Sequence, residues 1–197
     1  TGVQTSALPI LRKLYSGERR WRCDPKEEIA RLGLGHLPVE YVKHHESHAA
    51  AGFYTSGFND AAILVVDAIG EWDTVSIWHG TAAGIKRIWS KRYPNSIGLF
   101  YTAFTQYLGL KPNEEEYILM GMAALGKPIC VDQLKEDFFD KLDAPNFRLK
   151  YNLHQGCRFW NRPPGVSDYD IAASVQAITE EYLLKTAQWM KENIQSN

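Results

Sequence analysis

Ala61-Ala62-Ile63-Leu64-Val65-Val66-Asp67 is a continuous apolar run of strand length that closes on a carboxylate. A strand with one wet face alternates apolar and polar residues, so an unbroken run predicts a central strand covered on both faces. The turn Ala68-Ile69-Gly70-Glu71-Trp72 follows, with a return strand over residues 74–78. His79-Gly80 opens a second turn, and residues 85–89 offer a third strand. Three short strands on tight connections predict an antiparallel meander.

Working outward, helices flank this meander. Upstream, residues 7–15 carry a first helical signal. A second follows Asp24 as cap, with Pro25 at the first helical position and Glu27 three residues after the cap, and Gly33 and Gly35 stop it. Residues 39–42 read as a short strand, and 47–54 as a helix ending near Gly57. Downstream, Ile97, Leu99, Phe100, Ala103, Phe104, Tyr107 and Leu108 recur at helical spacing up to Gly109. Residues 117–125 predict a short, almost wholly apolar helix in the interior. Residues 127–165 show no sustained period and read as an insertion with its own short elements. Ser167, with Asp170 three residues on, caps the clearest helix, whose buried stripe runs through Ile171, Val175, Ile178, Tyr182 and Trp189. The fold class is α/β. An abrupt opening and a closing helix lead to the expectation of a piece of a larger protein.

Composition narrows the function classes. Lys and Arg number 22 against 23 Asp and Glu, for a net charge of −1, which predicts no nucleic-acid partner and no anionic membrane surface. Aromatics at 12% suit a packed body. No apolar run approaches membrane-spanning length, and Thr1-Gly2-Val3-Gln4 has no signal-sequence pattern. Cys23, Cys130 and Cys157 are widely spaced and odd in number, as expected of reduced thiols in a cytoplasmic protein.

Chemistry concentrates in Lys43-His44-His45-Glu46-Ser47-His48. On a helix, His44 and His48 stand one turn apart on one face. Two neutral imidazoles with the strand-end carboxylate of Asp67 make an open site for a divalent metal, with zinc, manganese and iron all admissible. His45 points off that face and is the candidate catalytic residue, to orient a neighbour or to touch substrate. The spacing does not match the zinc-protease pattern, because Ala49 stands four residues after His45. On the turn, Gly70 lets backbone N–H groups approach an anion, while Glu71 and Asp73 add charge that a cation would relieve. Gly70 and Glu71 are the candidate cofactor-binding residues. Asn95 or Ser96 either caps the helix that follows or leaves its N-terminus open to a phosphate or carbamoyl oxygen. Glu114-Glu115-Glu116 is either a solvated run or a run with Glu116 turned inward.

Five stretches stand in order over residues 39–185: His44-His45-Glu46-Ser47-His48-Ala49-Ala50, Val65-Val66-Asp67-Ala68-Ile69-Gly70-Glu71-Trp72, Tyr93-Pro94-Asn95-Ser96-Ile97-Gly98-Leu99-Phe100-Tyr101, Glu116-Tyr117-Ile118-Leu119-Met120-Gly121 and Asp170-Ile171-Ala172-Ala173-Ser174-Val175-Gln176. Together they resemble the N-terminal domain of the nodulation-type and antibiotic-type O-carbamoyltransferases, a family related to the tRNA threonylcarbamoyl-transferring proteins. The resemblance implies a partial actin-like fold of ribonuclease-H-like halves. Residues 1–60 would close the first lobe, and 61–197 would open the second, with its three-strand meander, packed helices and an insertion near 127–165. It implies iron, or another divalent metal, held by His44, His48, Asp67 and a further aspartate beyond residue 197. It also implies transfer of a carbamoyl group from carbamoyl-adenylate to a hydroxyl of a small molecule or sugar. A separate C-terminal domain would make that adenylate from ATP and carbamoyl phosphate, so residues 1–197 alone are expected to be inactive. Two positions depart from the pattern: Ala68 where the family has Gly, and Ile118 where it has Lys. These departures keep a non-catalytic metal- or nucleotide-binding module as an alternative, beside a tRNA-modifying relative.

Overall fold

The computed structural model describes residues 25–194. The expected helix at 7–15 and the Asp24 cap lie outside the described residues. A short helix α1 (Pro25–Arg31) ends where Gly33 takes φ +78°, a left-handed stop that suits glycine. Residues 39–42 then correct the sequence reading. They form no strand, and Tyr41 and Val42 are exposed, because no described segment pairs with them and an unpaired strand has no ladder. Helix α2 (His44–Ser56) starts at the histidines and closes on Gly57 at φ +79°.

Strands β1 (Ala61–Gly70), β2 (Asp73–Thr81) and β3 (Gly84–Arg92) pair antiparallel in the order β1-β2-β3, so the meander stands as read. The apolar run at 61–67 is nonetheless an edge strand and not the central one as read, since β2 lies in the middle; it lacks alternation because helices cover both sheet faces. Ala49 of α2 packs with Val65 and Trp78 on one face, beside Ile63 and Ile85. On the other, Ile77 meets Met190 and Ile194, beside Leu64 and Trp89.

The end of β1 differs from the expected turn at 68–72. Val66 pairs with Val75 and Gly70 with Asp73, and the register breaks between them. Ile63 and Val65 face α2, whereas Ile69 joins the main core on the opposite side. Alternation carries Asp67 to the α2 face with Ile63 and Val65, and the irregularity after Val66 turns Ile69 to the other side. The tight turn is left to Glu71, at φ +60°, and Trp72.

Helix α3 (Ile97–Tyr107) is capped by Ser96, whose Oγ accepts from the Leu99 N–H at 3.0 Å. Helix α4 (Glu116–Ala123) is a second correction: Leu119 is buried, while Tyr117 and Met120 are exposed. Only one of its faces meets a partner among the described residues. Helix α5 (Val131–Phe138) and the hairpin β4 (Phe139–Leu142) and β5 (Phe147–Leu149) follow. This 127–165 segment supplies much of the core. Phe138, Phe139 and Phe147 join Phe100 and Phe104, with ring centroids of 5.1 Å for Phe104–Phe138 and for Phe100–Phe139. Helix α6 (Asp168–Asn193) begins at a full capping box of Ser167 and Asp170 and buries Ile171, Val175, Ile178 and Tyr182; Trp189 is half-buried.

Candidate metal centre

Helix α2 delivers the histidines to the end of β1. Its first turn has no side-chain cap at Lys43, so tertiary contacts position it. His45, Ala49 and Phe53, four residues apart, are buried on the sheet, which leaves His44 and His48 on the adjoining face. There His44 Nε2 lies 2.6 Å from Asp67 Oδ2 and 3.0 Å from His48 Nε2, and His48 Nε2 lies 3.9 Å from Asp67 Oδ2. Side-chain exposure rises from 17% at His44 to 47% at His48, so the trio opens to solvent on the His48 side.

Hydrogen bonds alone do not satisfy this trio. A neutral imidazole nitrogen carries either a proton or a lone pair. If His44 Nε2–H donates to Asp67, it has no lone pair for His48. If it accepts from His48, it turns a lone pair on the carboxylate. A cation with donors at about 2.0–2.2 Å sets neighbouring donors about 2.8–3.6 Å apart in octahedral or tetrahedral geometry. The observed separations bracket that range, and two nitrogens with one oxygen suit a borderline divalent metal. The residues therefore fit such an ion, and they are the one such group among the described residues.

Asp67 is held by its own surroundings. Its Oδ1 accepts from the Ala68 N–H at 2.7 Å. Ser96 Oγ reaches the Ala68 carbonyl at 2.7 Å, tying the α3 cap to the strand end. Gly98 lies so close that an added Cβ would sit 2.9 Å from Ala68 Cα and N and from the Asp67 carbonyl oxygen. The chain comes together there only because residue 98 has no side chain.

The remaining candidates fall differently. His45 is 2% exposed, with Nδ1 2.7 Å from Ser76 Oγ and Nε2 without a partner. Burial holds its imidazole below the usual histidine range, against the opposite pull of Asp73 and Asp67. His45 is thus enclosed between α2 and β2, not presented to solvent. Gly70 lies under the histidines: a Cβ there would fall 2.5 Å from Cδ2 of both His44 and His45. Glu71 is exposed on the turn. Asp73 is neutralised by Arg87 at 3.1 Å, with Arg92 at 3.9 Å. Asn95 does not cap α3; its Oδ1 accepts from the Leu149 N–H. Glu116 turns inward, accepting from Thr102 Oγ1 at 3.0 Å and the Asn113 N–H at 2.7 Å, while Glu114 pairs with Lys111. Sequence reasoning passed over Ser76, Ser96's bond to Ala68 and Gly98. The available signals are a hydroxyl inside the apolar run Val75-Ser76-Ile77-Trp78 and a glycine just inside a helix start.

The sequence matches the family described as Carbamoyltransferase N-terminus over residues 26–197. The chain belongs to that family. This carbamoyltransferase N-terminal region is 35% identical over 175 residues to the uncharacterized protein sll1178 of Synechocystis sp., covering 80% of this chain and 28% of that protein. It is 32% identical over 147 residues to the nodulation protein NolNO of Sinorhizobium fredii, covering 75% and 20% respectively. It is also 32% identical over 108 residues to the nodulation protein NolO of Bradyrhizobium diazoefficiens, covering 55% and 20%. The region thus spans about a fifth to somewhat over a quarter of the length of these relatives. Among the described residues, no helix is long and apolar enough to cross a membrane.

Proposed function

We propose that the chain is the metal-holding part of an O-carbamoyltransferase that moves a carbamoyl group from carbamoyl-adenylate to a hydroxyl of a small molecule or sugar. The observation that carries this reading is the convergence of His44, His48 and Asp67 in a chain of this family. Iron, or another divalent metal, bound by these residues supplies a Lewis acid toward a carbonyl or phosphoryl oxygen. The chain's own part is to hold two imidazoles and a carboxylate in one place, open on the His48 side, where an acceptor can approach. His45, walled off behind Gly70, orients that arrangement. The adenylate is made from ATP and carbamoyl phosphate by a further domain of the full-length protein. The same reading carries a partial actin-like architecture divided near residue 60. It also carries a cytoplasmic setting, consistent with Cys130 and Cys157 as free buried thiols.

Full-length protein with His44→Ala, His48→Ala or Asp67→Ala provides the test. Each variant is expected to lose most of its bound divalent metal by elemental analysis, together with transfer of labelled carbamoyl from carbamoyl phosphate. Wild-type metal content in all three variants refutes the ligand assignment. Metal loss without any carbamoyl transfer by the wild type, across hydroxyl acceptors, points instead to a binding module.

A further inference from the structure

We propose that His45, Ser76 and Trp78 form a buried anchor that sets the rotation of α2 on the sheet, and so the convergence of His44, His48 and Asp67. Gly70 and Gly80 are the seats that let the helix approach. The proposal rests on the metal-site reading above and assigns positioning residues to it.

Trp78 Nε1 can only donate, and it does so to Ser76 Oγ at 2.7 Å. The same hydroxyl lies 2.7 Å from His45 Nδ1. Two tautomers of His45 are possible in principle. If Nδ1 carries the proton, it donates to Ser76. The Ser76 hydrogen then has no acceptor and the buried Nε2 lone pair no donor, which leaves two orphans. If Nε2 carries the proton, the Ser76 hydroxyl donates to Nδ1, and only the Nε2–H stays unpaired. Each buried orphan costs stability, so the second arrangement wins. His45 is thereby fixed as an acceptor at Nδ1, with its ring held to the middle of β2.

This bond links residues 31 apart in sequence and ties the first turn of α2 to β2. Among the described residues, the other side-chain hydrogen bond from α2 to the sheet is His44 to Asp67, inside the trio itself. Packing alone sets rotation poorly here, because the buried stripe of α2 is only His45, Ala49 and Phe53. A side-chain nitrogen lies about 5–6 Å from a helix axis, so a 20° rotation would move it about 2 Å. That displacement separates imidazoles now 3.0 Å apart at their Nε2 atoms from the carboxylate they share.

The two glycines complete the device. A Cβ on Gly70 would meet His44 and His45 at 2.5 Å, and one on Gly80 would meet the Phe53 ring at 2.5–2.7 Å. They sit at opposite ends of the α2 footprint, one on β1 and one on β2. Neither adopts a left-handed φ, so close approach, not backbone conformation, explains glycine at both.

The experiment uses full-length protein carrying Ser76→Ala or, remote from the trio, Gly80→Ala. Affinity for zinc and manganese is read by chelator competition, and site geometry by the visible spectrum of the cobalt(II)-loaded form. Both variants are expected to bind at least about tenfold more weakly, with a changed cobalt spectrum, in protein that still unfolds cooperatively. Imidazole nitrogen NMR of the wild type is expected to show His45 protonated at Nε2 and bare at Nδ1. Wild-type affinity and cobalt spectrum in both variants, or a proton on His45 Nδ1, overturn the proposal. If Ser76→Ala does not fold, Gly80→Ala and the wild-type NMR decide. A wild type that binds none of these metals overturns the metal-site reading, and this inference with it. Loss of binding confined to the ligand variants overturns the anchor alone.

Discussion

Replacing Gly98 by alanine moves Asp67 without altering a proposed ligand. The new Cβ would lie 2.9 Å from backbone atoms of Ala68 and from the Asp67 carbonyl oxygen. Carbon atoms rest about 3.5 Å apart at closest comfortable contact, so about 0.6 Å must be opened between α3 and the end of β1. Neither side is a flexible side chain that can swing away. Ser96 Oγ, 2.7 Å from the Ala68 carbonyl, ties the same two elements and opposes the separation. Overpacking of this kind costs about 1–3 kcal/mol. Replacing a helical glycine by alanine returns about 0.5–1 kcal/mol, so the net loss is about 0–2.5 kcal/mol. The melting temperature is then expected to fall by no more than about 10 °C. The site suffers more than the fold. Functional geometry tolerates about 0.5 Å, and a 1 Å misplacement costs about a hundredfold in rate. Full-length Gly98→Ala is therefore expected to lose about tenfold or more in divalent-metal affinity and carbamoyl transfer, measured beside a thermal melt. Gly121→Ala is the control, since a Cβ there meets nothing within 4 Å. It is expected to leave binding intact and to raise stability slightly. Wild-type affinity and turnover in Gly98→Ala refute the claim that α3 positions Asp67.

Ser96 is fully buried, caps α3 and donates to Ala68, so Ser96→Ala is expected to cost about 1–3 kcal/mol in urea unfolding; an unchanged midpoint refutes the role of this cap. Burial pushes the Cys157 thiol up to about 12 from 9.0 and raises that of Cys130, so neither is expected to react with iodoacetamide at mildly alkaline pH until the protein is denatured. The folded state holds the Cys157 proton more tightly than the unfolded chain. Its contribution to stability is therefore intact below about pH 9 and is lost as pH rises toward 12. Rapid labelling of Cys130 or Cys157 in the native protein, located by peptide mapping, contradicts that burial.

The meander and the long helix are legible in the sequence because local chemistry specifies them. A run with no polar interruption at 61–66 needs cover on both faces, and α2 and α6 provide it. The Ser167 and Asp170 box names its own helix start. The misread elements are those whose state depends on a partner. Residues 39–42 have strand composition but nothing described to pair with. Helix α4 is apolar nearly all round yet meets α6 through Leu119 alone of its fully buried positions. The strand at 61 runs on to Gly70 because a register break, invisible to periodicity, carries it past Asp67.

By itself, the sequence singled out three residues that come together: helical spacing puts His44 and His48 on one face, and an apolar run ends on Asp67. Tertiary structure decided the rest. It showed that His45 turns inward to Ser76, that Asp73 is already paired with arginine, and that Gly70, Gly80 and Gly98 mark places of contact. Spacing along a chain fixes direction within one element. The distance between elements is set by what lies between them, and here three absent side chains let a helix, a strand end and a second helix start close on one carboxylate.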